Sequence, residues 1–196
     1  QQTTRIREIM LSNKMRLIAM VQPDAQFSWR GTRSAPSTMI TAYAYYADWL
    51  ASRQLGLDYN METAQNLLAI YKKQAQQEPV LYRVLSMWWM NQMGLPVDTL
   101  LAGVDKELAT IKLGEYTPQN PHESMVFAYG NQSAGHALAL GISAQLHRER
   151  GTRVPEELKP AVAKAYDILA QYTNQPVAQS LLILAGKNTS EEVSAS

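Results

Sequence analysis

Three histidines are the residues of this sequence best suited to acid–base or metal chemistry: His122, His136 and His147. A helical pair of metal ligands stands three or four positions apart, and the adjacent pair His122 and Glu123 lacks that spacing. His136 lies among small apolar residues, where a general base would need a nucleophile as its partner. The sequence therefore predicts no metal site, no catalytic residue and no cofactor.

Cysteine is absent from all 196 residues. Disulfides, thiolate zinc sites and cysteine nucleophiles are therefore excluded within this sequence. The charge is almost balanced, with 18 basic and 17 acidic residues, so no electrostatic footprint indicates a nucleic-acid partner. No run of eighteen apolar residues is present, and we expect no direct insertion into a membrane.

An aromatic and basic loop is the first candidate binding site. Pro23, Asp24 and Pro36 interrupt the helical pattern around it, and the candidate contact residues are Phe27, Trp29, Arg30 and Arg33. Aromatic and arginine side chains dominate interface hot spots, so this loop is a possible interaction site. The alternative is that both rings fold back into the core.

A group of methionines and tryptophans is the second candidate, comprising Met87, Trp88, Trp89, Met90 and Met93. Such side chains line apolar cavities for isoprenoid or peptide ligands, but at helical spacing they more often form a core. The stretch 80–93 is apolar nearly all round, which predicts a helix buried on several sides.

The elements that must position these residues are helices, because apolar residues recur every three or four positions along most of the chain. The predicted helices cover residues 4–22, 37–55, a segment opened by Asn60 and ended before Pro79, 80–93, 97–113, 131–147, a segment opened by Pro155, and 177–185. Gly56 is the expected stop of the second helix.

Seven or eight helices joined mostly by short turns predict antiparallel neighbours in an all-α fold. We assign residues 1–186 to a single helical domain and 187–196 to a polar C-terminal tail. Gly135 and Gly141 lie inside a predicted helix, where each glycine costs roughly 1 kcal/mol, so close approach of a second helix is expected to compensate.

Four motifs in order resemble the helical thioester-containing domain of the alpha-2-macroglobulin and complement family, especially its bacterial branch. Gln22-x-Asp24-Ala25-x-Phe27-x-Trp29 is similar to a family loop that usually has glycine where Ala25 stands. The other three motifs are Ser37-Thr38-Met39-Ile40-Thr41-Ala42-Tyr43, Tyr129-Gly130-Asn131-Gln132-Ser133, and Thr173-Asn174-Gln175 with Ala178 and Leu181-Leu182. The resemblance implies an α/α toroid of alternating inner and outer helices.

The thioester is where this sequence departs from that family. Active members join a Cys to a Gln three residues later in Cys-x-Glu-Gln, and Gln1 and Gln2 are a possible remnant of that motif's tail. A thioester is reactive because thiolate is a good leaving group, and only Cys supplies one. We therefore expect no covalent link between this domain and a protease or an amine.

The resemblance implies a non-enzymatic domain of a periplasmic protease-binding or protease-trapping parent protein, of a kind that can be anchored to the inner membrane. Its expected partners are the neighbouring domains of a larger parent chain and, through the parent, proteases. Seven or eight helices would make an incomplete toroid, so at least one edge is expected to expose apolar side chains.

Two alternatives remain open. A toroid enzyme of the terpenoid-cyclase type would need clustered acids, and neither Asp-x-Asp-Asp nor Asp-Asp-x-x-Asp occurs. A peptide-binding helical repeat scaffold would show a fixed period, which this sequence lacks.

Overall fold

The computed structural model describes residues 2–28, 35–114, 132–172 and 176–185. Within these ranges the chain forms eight α-helices, two short 3₁₀ turns and no strand, which confirms the all-α class. The helices are α1 (Gln2–Ile18), α2 (Thr38–Leu55), α3 (Met61–Gln74), α4 (Val80–Gln92), α5 (Asp98–Leu108), α6 (Gln132–Glu149), α7 (Lys159–Leu169) and α8 (Pro176–Leu184). The toroidal arrangement stays a prediction.

The chain divides into two compact units, Gln1–Asp98 and Thr99–Ser196. The first contains α1 to α4 and the second contains α5, apart from its first residue, to α8. The assignment of residues 1–186 to one domain stays a prediction.

Helix α2 is the central element of the first unit, because α1, α3 and α4 all pack against it. Its N-cap is Ser37, whose hydroxyl accepts a hydrogen bond from the N–H of Ile40. The Glu78 carboxylate also accepts bonds from the N–H groups of Thr38 at 2.5 Å and Met39 at 3.3 Å. A negative charge at this helix end is favourable, because the free N–H groups carry partial positive charge.

The predicted end of α2 is confirmed at Gly56, which adopts the left-handed conformation with φ of 68°. Asn60 is likewise confirmed as the N-cap of α3, since its side chain accepts from the N–H of Glu62. Gly56 and Asn60 limit these helices because each helps backbone groups at a helix end to form hydrogen bonds.

Two helices end earlier than their apolar patterns predicted. Helix α1 stops at Ile18 rather than residue 22, and the chain then tightens into three-residue turns before Pro23. Helix α5 stops at Leu108 rather than residue 113, where the Thr110 hydroxyl donates to the Glu107 carbonyl at 2.7 Å. Side-chain bonding of this kind competes with the next helical turn.

The core of the first unit lies mainly between α2 and α4. Met87 and Met90 are completely buried and Met93 is nearly so, which agrees with the prediction of a helix buried on several sides. Trp89 is half-buried and packs against Tyr43 with ring centroids 5.1 Å apart. The structure therefore places these methionines in the core.

In the second unit, α6 packs against α7 and α8. A Cβ at Gly141 would lie 3.1 Å from a methyl carbon of Leu169 and 3.4 Å from one of Leu181. The close approach predicted from the glycines is thus confirmed at Gly141, where an added Cβ would require the Leu169 side chain to shift by a few tenths of an ångström and would touch Leu181.

Candidate functional site

The loop that precedes α2 is held in a tight turn by its own polar groups. The N–H of Ala25 donates to the carbonyl of Gln22, and the N–H of Gln22 donates to the carbonyl of Gln26, each at 2.9 Å. The Asp24 carboxylate accepts from the backbone N–H of Gln26 at 3.2 Å and from its side-chain amide at 2.8 Å. Ala25 has φ of 62°, the left-handed conformation that favours glycine.

Helix α2 fixes this loop through two residues one turn apart. The Thr41 hydroxyl accepts from the N–H of Phe27 at 3.0 Å, and the Tyr45 hydroxyl donates to the carbonyl of Ala25 at 2.6 Å. The Phe27 ring meets the Tyr45 ring edge to face, with centroids 6.0 Å apart. The motif Asp24-Ala25-x-Phe27 and the helix that follows it therefore form one structural unit.

The sequence-predicted site residues are only partly covered by the structure. The Phe27 side chain is 6% exposed and its ring packs against Tyr45 of α2, which for this ring agrees with the alternative that it folds back into the core. Trp29, Arg30, Arg33 and Gln1 lie outside the described residues, and Gln2 is described only as the first residue of α1. The interaction loop and the thioester remnant stay predictions.

Beside this loop, a cavity of about 660 Å³ lies among α1, α2 and the start of α3. Its apolar wall includes Leu17, Ile18, Val21, Phe27 and Ala44. Ile18 and Val21 are 43% and 38% exposed, so the cavity reaches the surface. Its volume falls within the roughly 300–1,000 Å³ typical of small-ligand sites.

Tyr59 and Asp48 also line this cavity. The buried Tyr59 hydroxyl has no hydrogen-bond partner among the described residues. Burial, together with the nearby Asp48 carboxylate, raises the pKa of Tyr59 above its usual range. Tyr59 is therefore a neutral phenol at physiological pH and can both donate and accept a hydrogen bond.

Lys14 connects α1 to Asp48 at the cavity edge. Its ammonium group pairs with Oδ1 of Asp48 and donates to the Ser52 hydroxyl at 2.9 Å. Arg7, two turns earlier on α1, donates to the Leu55 carbonyl at 3.0 Å. Polar contacts of α2 therefore hold the inner face of α1.

Exposed apolar residues flank that inner face. Leu11, Met15 and Ile18 recur at intervals of four and three, so they form a stripe along one side of α1. They are 46%, 59% and 43% exposed. The predicted amphipathic helix exists, but α2 covers only part of its apolar surface.

A buried polar network in the second unit was missed by the sequence analysis. The Asp105 carboxylate accepts from the Ser143 hydroxyl at 2.7 Å and lies 2.8 Å from Nε2 of His147. Nδ1 of His147 lies 2.8 Å from the hydroxyl oxygen of Thr152. Asp105 and His147 are 42 residues apart and on different helices, so only the tertiary fold joins them.

This network orients an imidazole between a carboxylate and a hydroxyl, the elements of an acid–base relay. Asp105 and His147 are both buried, and their bonds attach α5 to the last turn of α6. Within the described ranges, no group of three or more histidine, aspartate or glutamate residues is placed to hold a metal ion. We interpret the network as a clamp between two helices.

His136, the other described histidine, lies on α6 and is half-buried. Burial lowers the pKa of its imidazole, and the Glu107 carboxylate partly opposes this shift. No α-helix of the described residues has the length and hydropathy of a membrane span.

Comparison with known proteins shows that the sequence is similar to one region of a much longer chain. It is 38% identical over 185 residues to an alpha-2-macroglobulin of Ralstonia nicotianae (strain ATCC BAA-1114 / GMI1000). The matched region is 94% of this chain but only 12% of the relative. No family model matches the chain, and no solved structure matches it significantly. Over almost its whole length, this chain is therefore homologous to one segment of a longer alpha-2-macroglobulin.

Proposed function

We propose that this chain is a non-enzymatic helical domain of an alpha-2-macroglobulin-like protein and acts as a packing and interaction module. The parent would bind or trap proteases in the periplasm, as the family resemblance implies. The homology to 12% of a longer relative supports the role of a part within a larger protein.

The observation that carries the packing role is the exposed apolar stripe of α1. Leu11, Met15 and Ile18 form a row of large apolar side chains on one side of a helix that packs mainly against α2. Contiguous exposed apolar surface of this kind usually marks a contact with another protein surface. A neighbouring domain of the parent would cover the stripe.

Non-covalent action follows from the residues available. None of the 196 residues is a cysteine, so none supplies the thiolate that makes a glutamyl carbonyl electrophilic. Any contribution of this domain to protease capture would then be through conformational change and surface contacts.

The packing role is tested in the parent protein by replacing Leu11, Met15 and Ile18 together with serine. We expect earlier thermal unfolding, faster limited proteolysis next to this domain, and weaker protease capture on native gels. The matched control replaces Gln65 and Asn66, which are exposed on α3, with serine. It should leave all three measurements unchanged. Unchanged stability and capture in the triple variant would refute the packing role.

The non-covalent mechanism is tested separately by incubating the parent with radiolabelled methylamine, with and without protease, and then running a denaturing gel. Label retained on this domain, or a protease adduct that survives denaturation and maps to it, would contradict the proposal.

A further inference from the structure

A hydroxyl, an imidazole and a carboxylate form a hydrogen-bonded chain at the end of α6. Nδ1 of His147 lies 2.8 Å from Oγ1 of Thr152, and Nε2 of the same ring lies 2.8 Å from Oδ2 of Asp105. A nucleophile within reach of a base, and a base oriented by a third group, is the arrangement by which proteins activate a hydroxyl. The clamp between α5 and α6 therefore contains the parts of a general-base site.

The carboxylate of Asp105 determines which ring nitrogen carries the proton. Its Oδ1 accepts from the Ser143 hydroxyl at 2.7 Å, and its Oδ2 can accept only from an N–H of the His147 ring. Nε2 of the neutral ring is therefore protonated, and Nδ1 carries the lone pair. The Thr152 hydroxyl donates to that lone pair, because its other acceptor, the His147 carbonyl, lies farther away at 3.2 Å.

The base is buried, whereas the residue that carries the hydroxyl is at the surface. Asp105 and His147 are 5% and 8% exposed, and Thr152 is exposed. The backbone N–H of Thr152 donates to the His147 carbonyl at 2.9 Å, in a turn that Gly151 closes with φ of 67°. The backbone as well as the side-chain bond thus holds the hydroxyl beside the imidazole.

The residues around Thr152 have an excess of positive charge. Residues 148–153 include three arginines and one glutamate. Arg148 and Arg153 are exposed, while the carboxylate of Glu149 accepts from the side-chain amide of Gln145 at 3.0 Å. Arginine binds phosphate through charge-assisted hydrogen bonds. This charge favours an acyl donor whose leaving group is phosphate.

We propose that Thr152 accepts an acyl group from a small acyl phosphate, with His147 as the general base and Asp105 as a positioning residue. Oγ1 of Thr152 bonds to the acyl carbon while its proton passes to Nδ1 of His147. The bond between the acyl carbon and the phosphate oxygen then breaks, and phosphate leaves with that proton.

The products are an O-acyl threonine and inorganic phosphate, and nothing is oxidised or reduced. This acyl acceptance goes beyond the proposed packing role and is independent of it. The product is an ordinary ester rather than a thioester, so the non-covalent mechanism proposed for protease capture is unaffected.

The test treats the whole 196-residue chain with acetyl phosphate, digests it at glutamate and measures acetylated peptides by mass spectrometry. We expect Thr152 to be acetylated about 100-fold faster than Thr110, because a positioned general base contributes roughly 10²–10⁴-fold. Thr110 is a matched control in the same chain, since it is also exposed but its hydroxyl donates to the Glu107 carbonyl.

Variants identify the groups that activate the hydroxyl. His147→Gln removes the base and should lower the acetylation of Thr152 to that of Thr110. Asp105→Asn can hold the ring in the other tautomer and should slow acetylation of Thr152 about tenfold or more, with no change at Thr110. Thr152→Ser keeps the hydroxyl and should still be acetylated at that position, whereas Thr152→Val should not.

Arg153→Gln tests the class of donor. It should slow acetylation of Thr152 by acetyl phosphate about threefold or more, because phosphate loses a charged partner. Acetylation by p-nitrophenyl acetate, a neutral ester, should stay unchanged. Equal effects of this substitution on both donors would overturn the assignment to acyl phosphates.

Equal acetylation of Thr152 and Thr110 in the unmodified chain would overturn the inference. This comparison needs no variant, so it decides the matter even if a substitution at His147 or Asp105 prevents folding. Unchanged acetylation of Thr152 in a folded His147→Gln variant would also refute the general base.

Discussion

The methyl group of Ala25 should lower the stability of the first unit, because this residue has a backbone conformation that favours glycine. It is the one non-glycine residue with positive φ in the described ranges, at 62°. Its conformation is imposed by the turn from Gln22 to Gln26 and by the bond from Tyr45 to its carbonyl. Replacement by glycine keeps all of these backbone bonds and removes the Cβ that makes the conformation unfavourable.

The expected gain is the difference between opposing effects. The left-handed conformation costs an L-residue roughly 1–2 kcal/mol, whereas glycine increases the unfolded-state entropy by about 0.4–1 kcal/mol. Ala25 is half-buried at the cavity wall, so loss of its methyl subtracts roughly a few tenths more. Ala25→Gly should therefore raise the free energy of unfolding by about 0.5 kcal/mol.

The matched control is Ala69→Gly, an exposed alanine in the middle of α3. Glycine there lacks any strain to relieve and should lower the free energy of unfolding by about 1 kcal/mol. Urea titration of the wild type and both variants measures the two changes in the free energy of unfolding. They should have opposite signs, and the two variants should differ by about 1.5 kcal/mol. If Ala25→Gly destabilises the chain as much as Ala69→Gly does, residue 25 stores no strain and the reasoning is wrong.

Three further perturbations test other contacts. Glu78→Gln should lower the free energy of unfolding by about 0.5–1 kcal/mol in urea titrations, because α2 loses the charge at its N-terminus, and an unchanged value would contradict that role. Asp105→Ala should cost about 3 kcal/mol by the same measurement, since it leaves His147 and Ser143 without their buried partner; a cost below that of Ser143→Ala would disprove the clamp. The pKa of His136 is lowered in the folded state, so the unfolded state binds a proton at higher pH than the folded state does. The free energy of unfolding should therefore fall as pH is lowered from 7.5 to 5.5, through the usual histidine range near 6.5. His136→Gln should make that fall less steep, and an identical pH profile would contradict the assignment.

The all-α class and most helix limits were predictable from the sequence because their causes are local. Ser37, Asn60 and Gly56 act on backbone groups within a few residues, so the sequence alone specifies where α2 and α3 begin or end. The early end of α5 had a local cause as well, the hydroxyl of Thr110. The sequence-based prediction extended this helix to residue 113 because it followed the apolar pattern and gave no weight to that hydroxyl.

The candidate site was less predictable because its parts meet only in the tertiary structure. The motif containing Phe27 was found, yet Tyr59 and Asp48 gave no signal, since they are ordinary residues until the fold places them around one cavity. The pairing of Asp105 with His147 depends on the packing of two helices, and neither has a metal or catalytic motif in its neighbourhood. The exposed edge of an incomplete toroid was expected only through the family resemblance and stays a prediction, although α1 does expose large apolar side chains.

The way α1 is attached has a consequence for motion in the first unit. None of its described side chains is fully buried, and its contacts with α2 include hydrogen bonds from Arg7 and Lys14 near water. Opening free energy follows the apolar surface that must be exposed, and α1 has little to lose. We expect its amide hydrogens to exchange faster than those of α2 and α4, so that α1 separates locally while the core between them stays folded. The helix that carries the exposed stripe would then be the first part of this unit to respond when a covering surface binds or leaves.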